Sequence, residues 1–291
     1  MLSNNIDVAT HTIETVNEQI DRVTSDFKFI PNTTAFELQN AYSLASAAEL
    51  AYKDDSEIQN TVVKWGFDKF KFIKAEDGTE CFIMSNQEII VVSFRGTTDT
   101  KDWIVDLDLK LIEGLFEGKV HSGFYTSLSN VWQQIKRTIA AFRNNKEKSL
   151  WFTGHSLGGA LATLAVARFR AEDRPVDGLY TFGQPRVGDR QFARNFNFDF
   201  KPYAFRFVNN NDAVTRIPSR ARQYSHVGTF RYFTEPGELV EDIGYWNRFL
   251  DRMHGRTNDI LEWGSDGFKD HAMFKYRELI AKALEKELQQ S

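Results

Sequence analysis

The run Ser149–Leu150–Trp151–Phe152–Thr153–Gly154–His155–Ser156–Leu157–Gly158–Gly159–Ala160–Leu161–Ala162 changes character twice within 14 residues. Its apolar start reads as a short buried strand over Leu150–Thr153, and its Ala- and Leu-rich end opens a buried helix over Leu157–Arg170. From Ser149 to Ala167 there is no Asp, Glu, Lys or Arg over 19 residues, but the glycines, Thr153, His155 and Ser156 in the middle break it as a membrane span. Between strand and helix, Gly154–His155–Ser156–Leu157–Gly158 matches G-x-S-x-G, a pattern that carries weight only with a strand before it and a helix after it. Flanking glycines permit a sharp, strained turn that lifts the serine Oγ clear of the backbone.

Strands and helices alternate outward from this turn. Downstream, Gly178–Phe182 reads as a strand, Gln191–Asn195 as a short helix and Ala204–Val208 as a further strand. Upstream, Trp65–Ile73, Glu80–Ser85 and Glu88–Phe94 read as strands, the last two joined by a Ser85–Asn86–Gln87 turn. Phe36–Tyr52 has helical spacing, and Lys119–Phe142 reads as a loop entering a long helix with Leu128, Val131, Ile135 and Ile139 on one face. The pattern predicts an α/β fold with a central, mostly parallel sheet flanked by helices. A hairpin is expected at Thr229–Phe233 and Glu235–Glu238, an amphipathic helix at Leu239–Met253 and a terminal helix at Phe274–Leu288. Residues 1–33 read as an N-terminal helical extension, and no break demands a second domain: residues 1–291 are expected to form one.

Composition excludes several classes. The 36 Lys plus Arg against 40 Asp plus Glu give a net charge of −4, which lacks the basic footprint of a nucleic-acid binder. A hydrophobic content of 42% is enough to bury a core, so disorder is excluded. The single cysteine, Cys81, rules out an intrachain disulfide. With an N-terminus that shows no basic stretch followed by an apolar run, it favours a cytoplasmic protein without a signal peptide. The six histidines are scattered, so neither a metal nor another cofactor is expected.

A serine hydroxyl needs a base to take its proton and an acid to hold that base. The order that goes with this turn is Ser, then Asp or Glu, then His. Three histidines follow Ser156. His254 sits near the end of an amphipathic stretch and His226 at the start of a strand, whereas His271 follows a polar loop, Ser265–Asp270, where a ring can swing towards the serine. Of the ten aspartates between Ser156 and His271, Asp212 follows the Ala204–Val208 strand through the polar turn Asn209–Asn211. Groups at the carboxyl ends of sheet strands gather at one site, which favours Asp212. Asp270 adjoins His271, but sequence neighbours on a loop usually point apart, and Asp199 has no strand end to hold it. The backbone N–H of Leu157, next after the serine, is the first expected oxyanion donor.

Five blocks in order carry a resemblance. They are Val92–Thr97 (V-S-F-R-G-T), Val120–Phe124 (V-H-S-G-F), Thr153–Ala162, Thr181–Gly188 (T-F-G-Q-P-R-V-G) and Phe207–Asp212 (F-V-N-N-N-D), followed by Asp270–His271. From about Ala41 to the terminal helix, the chain resembles the class 3 (fungal-type) lipases of the α/β-hydrolase fold. The resemblance implies Ser156 as nucleophile, Asp212 as acid and His271 as base. It also implies Thr97, after the Arg95–Gly96 pair, as the second oxyanion donor, and a lid over about Thr98–Asp108 with Trp103, Ile104, Val105 and Leu107 as its apolar side. The implied activity is hydrolysis of acyl glycerols or other lipid esters through an acyl-enzyme, with transient contact to a lipid interface through the lid.

Two departures accompany the resemblance. The secreted fungal members carry a signal peptide and disulfides, and this chain shows neither, so the compartment stays open: the sequence favours the cytoplasm and the resemblance allows secretion. The stretch from His226 to Gly267, with Trp246, Phe249, Leu250 and Met253, offers a second wall to an acyl groove. Phospholipase A1 and carboxylesterase or feruloyl esterase activity therefore stay open as alternatives. So does a non-catalytic lipase-like interaction module, although such modules typically lose a triad member and all three candidates are present here.

Overall fold

The structure is a computed structural model that describes residues 27–105, 108–144, 147–241 and 264–290. Residues 27–37 run irregularly over the surface into helix α1 (Leu38–Leu50), so the expected N-terminal helix does not reach residue 33; its remainder lies outside the described residues. Helix α2 (Asp55–Lys64) follows, with Asp54 accepting from Glu57 N–H at its start. Trp65 caps that helix rather than opening a strand, and β1 begins only at Lys69 (Lys69–Lys74). Strands β2 (Glu80–Ser85) and β3 (Ile89–Phe94) complete an antiparallel meander.

After β3 come a short helix, α3 (Thr100–Val105), two small strands, β4 (Leu111–Glu113) and β5 (Lys119–His121), and the long helix α4 (Ser122–Arg143). The expected loop at Lys119 is thus a strand. His121 serves as the α4 N-cap, its Nδ1 accepting from Phe124 N–H. Strand β6 (Ser149–His155) then leads through Ser156 into α5 (Leu157–Ala171). The alternation continues with β7 (Gly178–Phe182), β8 (Gly188–Asp189), α6 (Arg190–Phe200) and β9 (Ala204–Asn209). Helix α6 extends beyond the expected Gln191–Asn195 because Asp189 caps it and Phe192, Phe196 and Phe200 bury one face.

The short strand β10 (Tyr224–Ser225) precedes β11 (Thr229–Phe233), whose hairpin partner is β12 (Leu239–Glu241). The expected helix at Leu239–Met253 is therefore a strand over its first three residues; from 242 to 263 it lies outside the described residues, with Trp246, Phe249, Leu250, Met253 and His254. The expected polar loop before His271 is largely a helical turn, α7 (Gly264–Lys269), and α8 (Met273–Gln290) ends the described chain.

The main sheet has eight strands in the order β1-β2-β3-β6-β7-β9-β11-β12. Its centre, from β3 to β11, is parallel, and antiparallel pairs close both ends. Both faces are covered, as a parallel sheet requires. On one face Ile90, Val92, Leu150, Phe152 and Leu179 meet α4, α5 and α6; on the other Val91, Trp151, Tyr180, Phe182 and Phe207 meet α1 and α8. Neighbouring residues of one strand thus go to opposite layers, the period-two signature of a strand buried on both sides. Four parallel strands end side by side, with Phe94 opposite Gly154, His155 opposite Phe182 and Phe182 opposite Phe207. Whatever follows those residues shares one edge of the sheet.

Candidate active site

Ser156 follows β6 at that edge with φ 57° and ψ −129°. A non-glycine residue there costs about 1–3 kcal/mol and persists only where its surroundings over-determine it. The glycines around it supply that determination. A Cβ on Gly154 would run into the backbone of Gly158, and a Cβ on Gly158 into the carbonyl of Phe94 at the end of β3. The two fixed glycines of the motif are therefore demanded by backbone contact across the turn and against the next strand. Ser156 N–H donates to Phe182 O (2.9 Å), pinning the turn to β7. Leu157 N–H begins α5, where no carbonyl one turn back within the helix receives it.

The residue after β7 is Gly183, with φ +58°, and a side chain there would lie 2.8 Å from both Asp212 Oδ2 and His271 Nδ1. Only glycine leaves room for that pair. Asp212, fully buried beyond the β9 turn, receives Val214 N–H on Oδ1 (2.9 Å) and the Tyr276 hydroxyl on Oδ2 (2.6 Å). His271 Nδ1–H donates to Oδ2 (2.8 Å) and Oδ1 (3.0 Å) of the same carboxylate. A carboxylate only accepts, so this bond leaves Nε2 of the neutral ring with its lone pair. Tyr276 in turn accepts Asn209 N–H (2.9 Å), and burial together with the Asp212 charge drives its hydroxyl well above the usual tyrosine range. It therefore stays protonated and donating.

Ser156 Oγ and His271 Nε2 are both buried without a hydrogen-bond partner. An orphaned buried acceptor and an orphaned hydroxyl are costly, and both sit at the sheet edge where a reacting group would complete them. His155, beside Ser156, lies against His271 with ring centroids 4.4 Å apart and the rings tilted by 33°.

The other candidates fall elsewhere. His226 is half-buried, with Nε2 on Thr215 O (2.7 Å), and desolvation beside Arg206, Arg186 and Arg220 holds it well below the usual histidine range. Asp270 turns away from His271 to Asn210 Nδ2 (3.2 Å) and Lys275. Asp199 pairs with Arg170. Thr97 is half-buried after Gly96, whose Cβ would come within 3.2 Å of Ser156 Cβ. Of the lid candidates, Trp103 stacks on Phe124 (6.0 Å, 21°), and Ile104 is buried against Val214 and Ile217. Val105 is 74% exposed, and Leu107 lies outside the described residues.

Sequence reasoning passed over Tyr52, His155, Gly183 and Tyr276 as site residues. Gly183 stood inside a quoted block and His155 inside the motif, so both had a local signal. Tyr52 and Tyr276 had none, being set apart from their partners by 103 and 64 residues. Among the described residues no group of three His, Cys, Asp or Glu side chains is gathered to hold a metal, and no helix is long and apolar enough to cross a membrane.

The family profile described as lipase (class 3) matches residues 91–221. A secreted mono- and diacylglycerol lipase of Fusarium solani is 36% identical over 195 residues, covering 66% of this chain and 57% of that protein. The Rhizomucor miehei lipase is 32% identical over 157 residues, covering 52% and 43%. The chain thus spans about half the length of the curated relatives it matches. Among solved structures, Rhizomucor miehei triacylglyceride lipase superposes with a TM-score of 0.57 at 26% identity, over 68% of this chain and 80% of that one. A mono- and diacylglycerol lipase from Aspergillus oryzae superposes with a TM-score of 0.66 at 22% identity, over 81% and 96%, and speaks to the fold alone. The fold is that of the α/β hydrolases, and the segment from β3 to the turn before β10 is similar to the class 3 lipases.

Proposed function

We propose that the protein is a serine ester hydrolase that cleaves acyl glycerols or related lipid esters through an acyl-enzyme. The observation that carries this reading is the hydrogen-bonded Asp212–His271 pair at the same sheet edge as the strained Ser156 turn, with Ser156 Oγ and His271 Nε2 left unpartnered. Relatives named as mono- and diacylglycerol lipases support the substrate class, as does a triacylglycerol lipase structure whose catalytic centre is described as a serine protease triad.

In this mechanism His271 Nε2 takes the Ser156 proton as Oγ attacks the ester carbonyl. Asp212 holds the ring in the tautomer that leaves Nε2 open and stabilises the imidazolium that forms. Leu157 N–H and Thr97 receive the charge that develops on the carbonyl oxygen. Collapse of the tetrahedral adduct breaks the bond to the alkoxy oxygen, and the leaving alcohol carries off the proton from His271. A water molecule, deprotonated by the same ring, then attacks the acyl-serine, and the ring returns that proton to Ser156 Oγ as the fatty acid leaves. No cofactor enters this chemistry. Ser156 is fully buried, so substrate must gain entry. We assign that gate to Thr98–Asp108, because Ile104 and Trp103 pack beside Val214, two residues from Asp212, and Phe268, three before His271.

The test is hydrolysis of short- and long-chain p-nitrophenyl esters and emulsified acyl glycerols, with Ser156→Ala as control. Turnover lost only in the variant is expected. Turnover that survives Ser156→Ala overturns the assignment, and an inactive parent protein across the panel favours a non-catalytic module.

A further inference from the structure

His155 occupies the variable position before Ser156, where the motif asks only for some residue. It is buried, and each ring nitrogen has one partner: Nδ1 meets the Tyr52 hydroxyl at 2.7 Å, and Nε2 meets the main-chain oxygen of His271 at 2.7 Å. These partners settle the tautomer. A carbonyl oxygen only accepts, so Nε2 carries the hydrogen and donates to His271 O. Nδ1 of the neutral ring then accepts from Tyr52 O–H. Burial, chiefly, with the His271 ring alongside, holds His155 well below the usual histidine range, and burial raises the Tyr52 hydroxyl. Both groups therefore keep these roles near neutral pH.

The Tyr52 end of this chain of bonds is packed in place. The Tyr52 hydroxyl packs closely on Gly96, the residue before Thr97. A side chain on Gly96 would fall on the Tyr52 hydroxyl and within 2.6 Å of His155 O. One directed relay thus runs from the Tyr52 hydroxyl through the His155 ring to the His271 carbonyl. It links Tyr52, packed on the Gly96 backbone, to the main chain that carries the base. Buried hydrogen bonds arranged head to tail polarise and stiffen one another.

We propose that His155, oriented by Tyr52, is a positioning residue that clamps the His271 backbone and so sets the reach of its Nε2 to Ser156. The inference rests on the proposed hydrolase reading. Asp212 fixes the rotation and tautomer of the His271 ring, whereas His155 fixes where its backbone stands. Without Tyr52 the imidazole is free to place its hydrogen on Nδ1. A bare Nε2 lone pair would then face the carbonyl, and the clamp would become a repulsion.

The experiment compares His155→Leu, His155→Gln and Tyr52→Phe with the parent protein and Ser156→Ala, reading kcat and KM on a soluble p-nitrophenyl ester and the thermal unfolding of each. A misplacement of about 1 Å is worth about a hundredfold, so His155→Leu should lower kcat by about that factor and leave KM unchanged. His155→Gln should restore most of it, because its amide N–H stands close to the place of imidazole Nε2 and donates to the same carbonyl. Tyr52→Phe, which removes a single oxygen, should lower kcat by about tenfold; should the Leu variant not fold, this variant and Gln decide. Parent-level kcat in folded Tyr52→Phe and His155→Leu overturns the clamp. Equal loss in Gln and Leu overturns it too, since the donor would then be irrelevant. Failure of the hydrolase reading is distinguishable, because it shows in the parent and in Ser156→Ala before any clamp variant is measured.

Discussion

The Gly154–Gly159 turn and the Thr98–Val105 segment stand on the same edge of the sheet and are built in opposite ways. In the turn every residue except Leu157 is buried, Ser156 holds a strained conformation, and no glycine that touches a neighbouring backbone has space for a Cβ. Thr98–Val105 contains one short helix with a single buried side chain, Ile104. It is fastened by apolar and ring contacts: Trp103 on Phe124, Ile104 on Val214 and Ile217, and Lys101 Nζ 5.1 Å from the Phe268 ring. Strain is stored where the packing cannot give, whereas the second segment is held by contacts that separate without breaking a buried polar bond. Under the proposed function the two segments would divide the labour of a preorganised site and its gate.

Four measurements would break or sharpen that contrast. The largest effect is expected at Asp212, which receives three donors inside the rigid half. Asp212→Asn keeps the shape but favours the wrong imidazole tautomer, at a cost on the order of 10⁴ in kcat. A loss smaller than about tenfold would pass the role to another carboxylate, Asp270 first. Gly158→Ala comes next. Its Cβ would meet a main-chain oxygen that cannot swing aside, so it should cost about 3 kcal/mol or more in unfolding free energy. Asp102→Ala, on the exposed face of α3, should stay within about 0.5 kcal/mol. Similar losses from both would erase the distinction between the segments.

The third measurement is acid stability. His155 and His121 are buried and held neutral, His155 well below its ordinary 6.5 and His121 down to about 4, in both cases chiefly by burial. Below pH 6.5 the unfolded chain takes up protons that the folded chain refuses, so folding stability falls as pH drops through this range. For His121 the loss continues to about pH 4 and reaches on the order of 3 kcal/mol. His121→Asn keeps a cap for α4 while removing the titration. It should lower stability at neutral pH, through the lost stack on Phe124, yet flatten the acid slope. An unchanged slope would assign the acid lability to His155 or His226.

What the sequence disclosed follows from how local each signal is. The strand–turn–helix around Ser156 needs only neighbours, and its glycines are visible because backbone contact demands them. The choice of Asp212 was legible from a strand end and that of His271 from its place in the order that goes with the serine turn, and the structure sets the two in hydrogen-bond contact. Helix α2 was missed because only Ile58 and Val62 are buried on it, too few for periodicity. The pattern of Asp54 followed three residues later by Glu57, a start signal, was its available trace. Strands β4, β5, β8 and β10, of two or three residues each, are too short to show alternation. The Tyr52–His155–His271 relay joins residues 103 and 116 positions apart, and nothing in a linear reading links them.

The smallest effect is expected at Val105, and it addresses the gate directly. Val105 is 74% exposed at the end of α3, while its neighbour Ile104 is 3% exposed against Val214 and Ile217. In water Val105 holds nothing together, so Val105→Ser should leave unfolding unchanged, within about 0.5 kcal/mol. Turnover of a soluble acetate ester should be equally indifferent. A lipid surface changes the balance, because the valine then leaves water as the segment swings out. Serine forfeits roughly 1–2 kcal/mol of that transfer, which is up to about tenfold in the population of surface-bound, open protein. Activity on an emulsified acyl glycerol should fall by that factor while activity on the acetate ester holds. A population shifts only as far as its partner discriminates between the two states, so a loss confined to the emulsion identifies the lipid surface as that partner. If Val105→Ser lowers both substrates equally, α3 is a fixed wall of the site. If it lowers neither, the surface-seeking residues lie elsewhere, and the contrast between rigid turn and gate has to be drawn around another segment.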